Sequence, residues 1–114
     1  LGFGFWTFRD RATGAYLGEG GLLQGQRALD PDFGATPEVG WALTPGAQGK
    51  GIAGEALGAI LGWADAQPMA KMVCMIEPDN APSIRLANRL GFEEYAQTTY
   101  HGARANLYAR SRPA

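Results

Sequence analysis

The 114-residue sequence is poor in the two side chains that most often build redox or metal sites. It contains one cysteine, Cys74, and one histidine, His101. A single cysteine excludes an internal disulfide and a cysteine-based zinc site. A single histidine argues in the same way against a histidine-based metal site, because such sites need several ligands. We therefore expect no bound metal.

A basic cluster and a long apolar run are also missing. Ten lysines and arginines stand against eleven aspartates and glutamates, and the basic residues are scattered. A nucleic-acid-binding surface normally shows a basic patch, so we expect no nucleic-acid partner. No apolar run approaches the roughly 18 residues of a membrane helix, and the N-terminal LGFGFWTF lacks the basic region of a signal peptide. We expect no membrane partner and a cytoplasmic location.

Short apolar segments separated by turns fill the chain instead. Aromatic-rich, β-branched or continuous apolar runs predict strands, and apolar residues at helical spacing predict helices. The predicted elements are strands at 3–9, 15–24 and 38–44, a helix at 51–66, a strand at 71–77, a helix capped by Asp79 or Asn80 and ended by Gly91, and strands at 92–99 and 103–110. Residues 25–37 are predicted to form a loop.

The order β-β-β-α-β-α-β-β predicts a mixed α+β fold. A helical crossover between the third and fourth strands implies a parallel or splayed pair there, within a mostly antiparallel sheet. The length fits one domain, and we interpret residues 1–114 as that domain.

The segment GAQGKG, at positions 46–51, stands between the third strand and the first helix. The first backbone N–H groups of a helix have no partner within it, and the positive end of the helix dipole attracts anions. Glycine removes side chains that would hold a phosphate away, and Lys50 adds positive charge. The segment therefore predicts a phosphate-bearing ligand, with an unoccupied tight turn as the alternative.

Two common phosphate-binding motifs explain this segment poorly. A Walker A loop fails, because Thr44 stands in place of its first glycine and Gly51 in place of its serine or threonine. Residues 49–54 match G-x-G-x-x-G, but that dinucleotide motif requires a parallel sheet and an acidic residue about 20 positions on. The three antiparallel-looking strands upstream are the wrong context for it.

The pattern Gln48-x-x-Gly51-x-Ala53 resembles the Q/R-x-x-G-x-G/A pyrophosphate signature of GCN5-related N-acetyltransferases (GNAT). EVGWAL, at 38–43, resembles the fourth strand of that family. NAPSIRLANRLGF, at 80–92, is similar to the N-x-x-S … L-G-F helix of the branch that acetylates ribosomal-protein N-termini (the Rim-type branch). GAYLGEGGL resembles a segment in the second and third strands of the same branch.

The resemblance implies acetyl-CoA as co-substrate. Backbone amides of residues 48–53 would hold its pyrophosphate, the edge of the third strand would pair with its pantetheine arm, the head of the second helix would contact that arm, and one arginine would reach its nucleotide end. The implied contacts are Trp41, Ala42, Leu43, Thr44, Gln48, Gly49, Lys50, Gly51, Ile52, Ala53, Asn80, Ser83 and Arg89.

The implied reaction is direct acetyl transfer to a primary amine, either a protein N-terminus or a small molecule, without a metal or a covalent enzyme intermediate. Glu38 is our candidate general base, because it begins the strand that would hold the thioester; a solvated strand-end residue is the alternative. Many members carry a tyrosine as general acid where this chain has Ala87. Ser83 is a candidate substitute, unless it is only a helix-start or cofactor contact. Tyr100 and His101 are further candidates.

The resemblance also implies missing sequence. GNAT domains usually begin with a strand and two helices ahead of the strand that residues 3–9 match, so we expect a domain that is short at its N-terminus and whose acceptor site is incomplete. A fragment, a shortened relative and a chain completed by a homodimer partner are the three explanations that fit. The alternative function is a non-catalytic acyl-CoA-binding or interaction module.

Overall fold

The computed structural model describes residues 4–23, 36–67 and 71–111, and within them it confirms the predicted order of elements. A short 3-10 turn, Pro45–Ala47, precedes the first helix. The predicted loop at 25–37 lies outside the described residues except for positions 36 and 37. The elements are β1 Gly4–Arg9, β2 Tyr16–Leu23, β3 Glu38–Leu43, α1 Ile52–Asp65, β4 Lys71–Ile76, α2 Ala81–Arg89, β5 Glu93–Tyr100 and β6 Ala103–Ser111.

The six strands form one mixed sheet in the order β1-β2-β3-β4-β6-β5. All neighbouring pairs are antiparallel except β3 and β4, which are parallel and connected through α1. Close packing of β2 against β3 requires a glycine, because a Cβ at Gly18 would overlap the carbonyl oxygen of Ala42. The predicted α+β fold with one parallel pair is confirmed.

Both helices pack on the same face of the sheet, over the main hydrophobic core. On α1 the apolar residues at helical spacing turn inward, and on β4 alternate residues face the helices. The fully buried members with the largest side chains are Phe92, Leu22, Leu57, Met72 and Cys74. A smaller cluster around Val73 and Leu107 occupies the opposite face.

Local signals set both ends of α2. The side chain of Asn80 accepts a hydrogen bond from the Ser83 amide, 3.3 Å, and Pro82 lies in the first turn, where its missing N–H costs nothing. Gly91 has a φ of 97°, and the Phe92 amide donates to the carbonyl of Ala87, 2.9 Å. This left-handed glycine closure and the Asn80 cap confirm the predicted ends of the helix.

Candidate functional site

Strands β3 and β4 share a single bridge, between Glu38 and Val73. Beside it the Val73 amide donates to the carbonyl of Pro37, 3.0 Å. Beyond Glu38 the strand β3 continues to Leu43 paired with β2 only. Among the described residues, the other edge of β3 therefore carries no strand, and its backbone groups are available to a ligand.

The glycine turn brings unpaired backbone amides to the same place. Gly49 and Gly51 have φ values of 76° and 75°, which glycine adopts without the steric cost that a side chain would add. Gly51 is the N-cap of α1 and offers no side chain to its first amides. The start of α1 therefore presents open N–H groups and the positive end of its dipole.

A cleft of about 820 Å³ lies between the β3 edge, this turn and α2. The predicted cofactor contacts lie along it except for Thr44 and Lys50. The residues that line it are Trp41, Ala42, Leu43, Gln48, Gly49, Gly51, Ile52, Ala53, Gly54, Asn80, Pro82, Ser83, Arg85, Leu86 and Arg89. Residues that the sequence placed on one strand, one turn and one helix thus meet around a single space.

Two predicted contacts do not line the cleft. Thr44 is turned towards β2, where its amide donates to the carbonyl of Leu17 at 2.9 Å and its hydroxyl approaches the same oxygen at 3.4 Å. The side chain of Lys50 is exposed. Its charge helps lower the pKa of Asp10, behind the larger effect of two backbone amides that donate to that carboxylate.

Trp41 and Ser83 connect the two walls of the cleft. The indole Nε1 of Trp41 donates to Oγ of Ser83 at 3.2 Å, in a partly buried position. The hydroxyl of Ser83 therefore uses an acceptor site for the indole and keeps its own proton for another partner. The Asn80 cap holds the Ser83 backbone in place.

Four cleft residues were missed by the sequence interpretation. Gly54, Pro82, Arg85 and Leu86 line the cleft beside the predicted residues. The signal for three of them was available, because Pro82, Arg85, Leu86 and Arg89 share one face of α2 at helical spacing. A Cβ at Gly54 would lie 3.6 Å from Leu86 and 3.8 Å from Nη2 of Arg89, which are ordinary contact distances, so neighbouring protein atoms do not require glycine there.

Glu38 lies at the point where β3 and β4 separate. It is only 4% exposed, so the alternative interpretation as a solvated strand-end residue is wrong. It lies between Leu23 of β2 and Val73 of β4 in the sheet, a position that the sequence of a single strand does not reveal. It does not line the cleft. Burial raises the pKa of the Cys74 thiol, and the charge of Glu38 raises that pKa further, which marks Cys74 as an inert core residue.

The remaining candidates lie elsewhere. Tyr100 and His101 stack with ring centroids 4.0 Å apart at the β5–β6 hairpin and do not line the cleft. Ala87, where many members of the resembled family carry a tyrosine, is fully buried in the core.

Within the described ranges, no group of three histidine, cysteine, aspartate or glutamate side chains is arranged to hold a metal ion. Neither helix there has the length and apolar character that a membrane crossing requires.

Comparison with known proteins identifies the family to which the chain belongs. The model of the acetyltransferase (GNAT) domain matches residues 1–93, most of the chain. The chain belongs to the GNAT acetyltransferase family. Its mixed sheet with one splayed parallel pair is the GNAT fold, as the structural comparisons also show.

Three relatives of this GNAT chain illustrate the range of similarity. The uncharacterized protein YkkB of Bacillus subtilis is 31% identical over 98 residues, which are 85% of this chain and 54% of YkkB. A protein of Bordetella pertussis assigned to the GNAT acetyltransferases is 35% identical with a TM-score of 0.85, over 96% of this chain and 66% of that chain. The acetyltransferase yncA of Salmonella typhimurium, solved with its cofactor acetyl-CoA, is 26% identical with a TM-score of 0.79, over 99% and 66%. The chain thus spans about half to two thirds of the length of these relatives.

Proposed function

We propose that this chain binds acetyl-CoA in the cleft and transfers its acetyl group to a primary amine. The observation that carries the proposal is that the unpaired edge of β3 and the open amides at the start of α1 face one cleft. An extended arm with a diphosphate at one end needs this combination of a strand edge and an anion site. The bound cofactor named for yncA supports the choice of acetyl-CoA.

Each wall of the cleft has a proposed part in binding. Backbone amides of residues 49–53 hold the pyrophosphate, with the Gln48 side chain beside it and the exposed Lys50 adding positive charge from outside the cleft. The Gln48 amide itself donates to the carbonyl of Pro45 at 3.4 Å. Residues 41–43 of β3 pair with the pantetheine amides, and Asn80 and Ser83 contact that arm from the head of α2. Thr44 would not take part in this pairing, because its amide donates to the carbonyl of Leu17 and its own carbonyl accepts from the Ala47 amide at 3.0 Å.

The proposed reaction is direct. The neutral amine attacks the thioester carbonyl, an N–C bond forms, and the C–S bond breaks as CoA leaves. One proton goes from the attacking nitrogen to a base and one reaches the departing thiolate. A β3 amide stabilises the charge that develops on the carbonyl oxygen. Glu38 is the proposed base, because it begins the strand that would hold the thioester, at the point where β3 and β4 separate, and would act through water from outside the cleft. Ser83 is the proposed acid, because its hydroxyl proton is free of the Trp41 bond.

The acceptor is part of the proposal as well. The similarity of residues 14–22 and 80–92 to the ribosomal-protein N-terminal acetyltransferase branch favours a protein N-terminus. An N-terminal amine has a pKa near 8 and needs less help from a base than a lysine near 10.4. A small-molecule amine is the competing acceptor.

A cytoplasmic homodimer remains a prediction. The exposed Trp6 and Trp63, whose rings meet edge to face at 5.8 Å, are candidates for its interface.

A second function is favoured by one observation. No aspartate or glutamate of the described residues lines the cleft, and the position of the usual tyrosine acid is a buried alanine. A non-catalytic acyl-CoA-binding module would have these properties. Titration calorimetry with acetyl-CoA tests both functions, and no binding by a folded sample overturns both. Thiol release with a panel of amines separates them, because only the enzyme releases CoA faster when an amine is added.

A further inference from the structure

Arg85 and Arg89 form an arginine pair on the α2 wall of the cleft. They are four residues apart in α2, and both line the cleft. Side chains at this spacing are neighbours on one helix face. Neither guanidinium forms a hydrogen bond or an ion pair with another described residue, and no carboxylate of the described residues lines the cleft. The chain has a net charge of −1, yet this wall concentrates uncompensated positive charge.

The arginine pair is distinct from the glycine turn. The turn offers backbone amides at the start of α1, whereas Nη2 of Arg89 lies alongside the first turn of that helix, 3.8 Å from where a Cβ of Gly54 would be. The cleft therefore contains two different sets of hydrogen-bond donors that suit anions, the amides of the turn and the guanidinium groups of α2. Open amides suit a diphosphate in close contact with the backbone, and guanidinium groups suit a phosphate monoester that takes paired hydrogen bonds.

CoA carries both kinds of phosphate. Its diphosphate joins the pantetheine arm to the nucleotide, and a monoester stands on the ribose 3′ position. A monoester of this type carries about 1.5 to 2 negative charges near pH 7 and is the strongest single charge on the molecule. We propose that Arg85 and Arg89 together bind this 3′-phosphate. The cleft then selects free CoA thioesters over thioesters whose pantetheine lacks the phosphorylated nucleotide. The inference rests on the proposed function.

The test compares the dissociation constants of acetyl-CoA and 3′-dephospho-acetyl-CoA, measured by calorimetry on the chain and on Arg85→Gln, Arg89→Gln and the double variant. The unchanged chain should bind acetyl-CoA about ten- to a hundred-fold more tightly than it binds 3′-dephospho-acetyl-CoA. This difference is the effect of one or two charge-assisted hydrogen bonds. The double variant should bind both ligands alike, at the affinity of the unchanged chain for the dephospho ligand. Arg104→Gln is the matched control, because Arg104 is exposed on β6, contacts Gln97 at 3.4 Å and does not line the cleft.

Different outcomes overturn different claims. Equal affinity of the unchanged chain for the two ligands overturns the 3′-phosphate assignment and leaves the proposed function standing. Equal weakening of both ligands in the double variant also overturns it, and assigns the arginines to the diphosphate. Binding of neither ligand by the folded chain overturns the proposed function and this inference together. Circular dichroism of each variant establishes that it is folded.

Discussion

The indole nitrogen of Trp41 donates to the hydroxyl of Ser83 across 3.2 Å and joins the β3 wall of the cleft to the α2 wall. The two residues are 42 positions apart in the chain. The bond fixes the orientation of the one cleft hydroxyl that we propose as an acid. Because Trp41 occupies an acceptor site of that hydroxyl, the serine proton is directed to a different partner.

We expect Trp41 and Ser83 to act as a unit in acetyl-CoA binding. Trp41→Phe and Ser83→Ala should each raise the dissociation constant about three- to ten-fold, the effect of losing one hydrogen bond. The double variant should bind no more weakly than the weaker single variant, because both changes remove the same bond. Titration calorimetry measures all three. Additive effects would show that the bond does not orient Ser83. A much larger fall of kcat in Ser83→Ala than in Trp41→Phe would identify Ser83 as the acid.

Glu38 is expected to determine how the acetylation rate depends on pH. If it accepts the proton of the amine, Glu38→Gln should lower kcat about hundred-fold or more and remove the acidic limb of the pH–rate profile. The matched control is Glu77→Gln, which removes the same charge from an exposed position after β4. Thiol release between pH 5 and 9 gives the profiles. A Glu38→Gln variant with an unchanged rate and profile would exclude Glu38 as the base.

Gly51 and Gly58 should respond in opposite directions to the same substitution. Gly51 has a φ of 75°, so alanine there should lower the free energy of unfolding by about 1–2 kcal/mol and weaken acetyl-CoA binding. Gly58 lies exposed inside α1, and no atom lies within 4 Å of where its Cβ would be, so alanine should stabilise the fold by about 0.5–1 kcal/mol without affecting binding. Urea unfolding and calorimetry measure both quantities. Equal effects at the two positions would contradict the role given to the turn.

Arg110 holds the ends of both helices to the sheet. Its Nη atoms donate to the two Asp65 carboxylate oxygens at 2.9 and 2.8 Å, and its Nε donates to the carbonyl of Leu90 at 2.9 Å. This pairing raises the pKa of Arg110. Asp65→Asn should lower the free energy of unfolding by about 1–3 kcal/mol, because a nearly buried guanidinium loses its counter-ion. Asp79→Asn, at an exposed position before α2, is the control. Equal urea midpoints for the two variants would contradict this role.

Local chemistry explains why much of the fold could be predicted. The Asn80 cap, Pro82 in the first turn and Gly91 after the last turn are all short-range signals, and α2 begins and ends where they indicate. The glycine turn is equally local, because a chain that leaves a strand and enters a helix determines where the amides point. The splayed pair followed from the helical crossover between β3 and β4.

Tertiary contacts decided the features that sequence could not supply. Glu38 is buried at a position where β3 lies between β2 and β4, and Thr44 is turned away from the cleft because Leu17 of β2 offers a carbonyl. Arg85 lies on the same helix face as Pro82 and Arg89, but periodicity alone does not say whether that face meets a ligand or solvent. These positions depend on which elements are neighbours in space.

An NMR titration tests most directly whether the cleft is an acetyl-CoA site. Acetyl-CoA should shift the backbone amide signals of Gly49, Gly51 and Gly54, which line the cleft, and leave that of Gly102, in the β5–β6 turn, unchanged. The shifts should saturate together with one dissociation constant, equal to the calorimetric value. A folded chain whose cleft glycine signals stay in place at millimolar acetyl-CoA, or whose shifts cluster around Gly102 instead, would contradict the account.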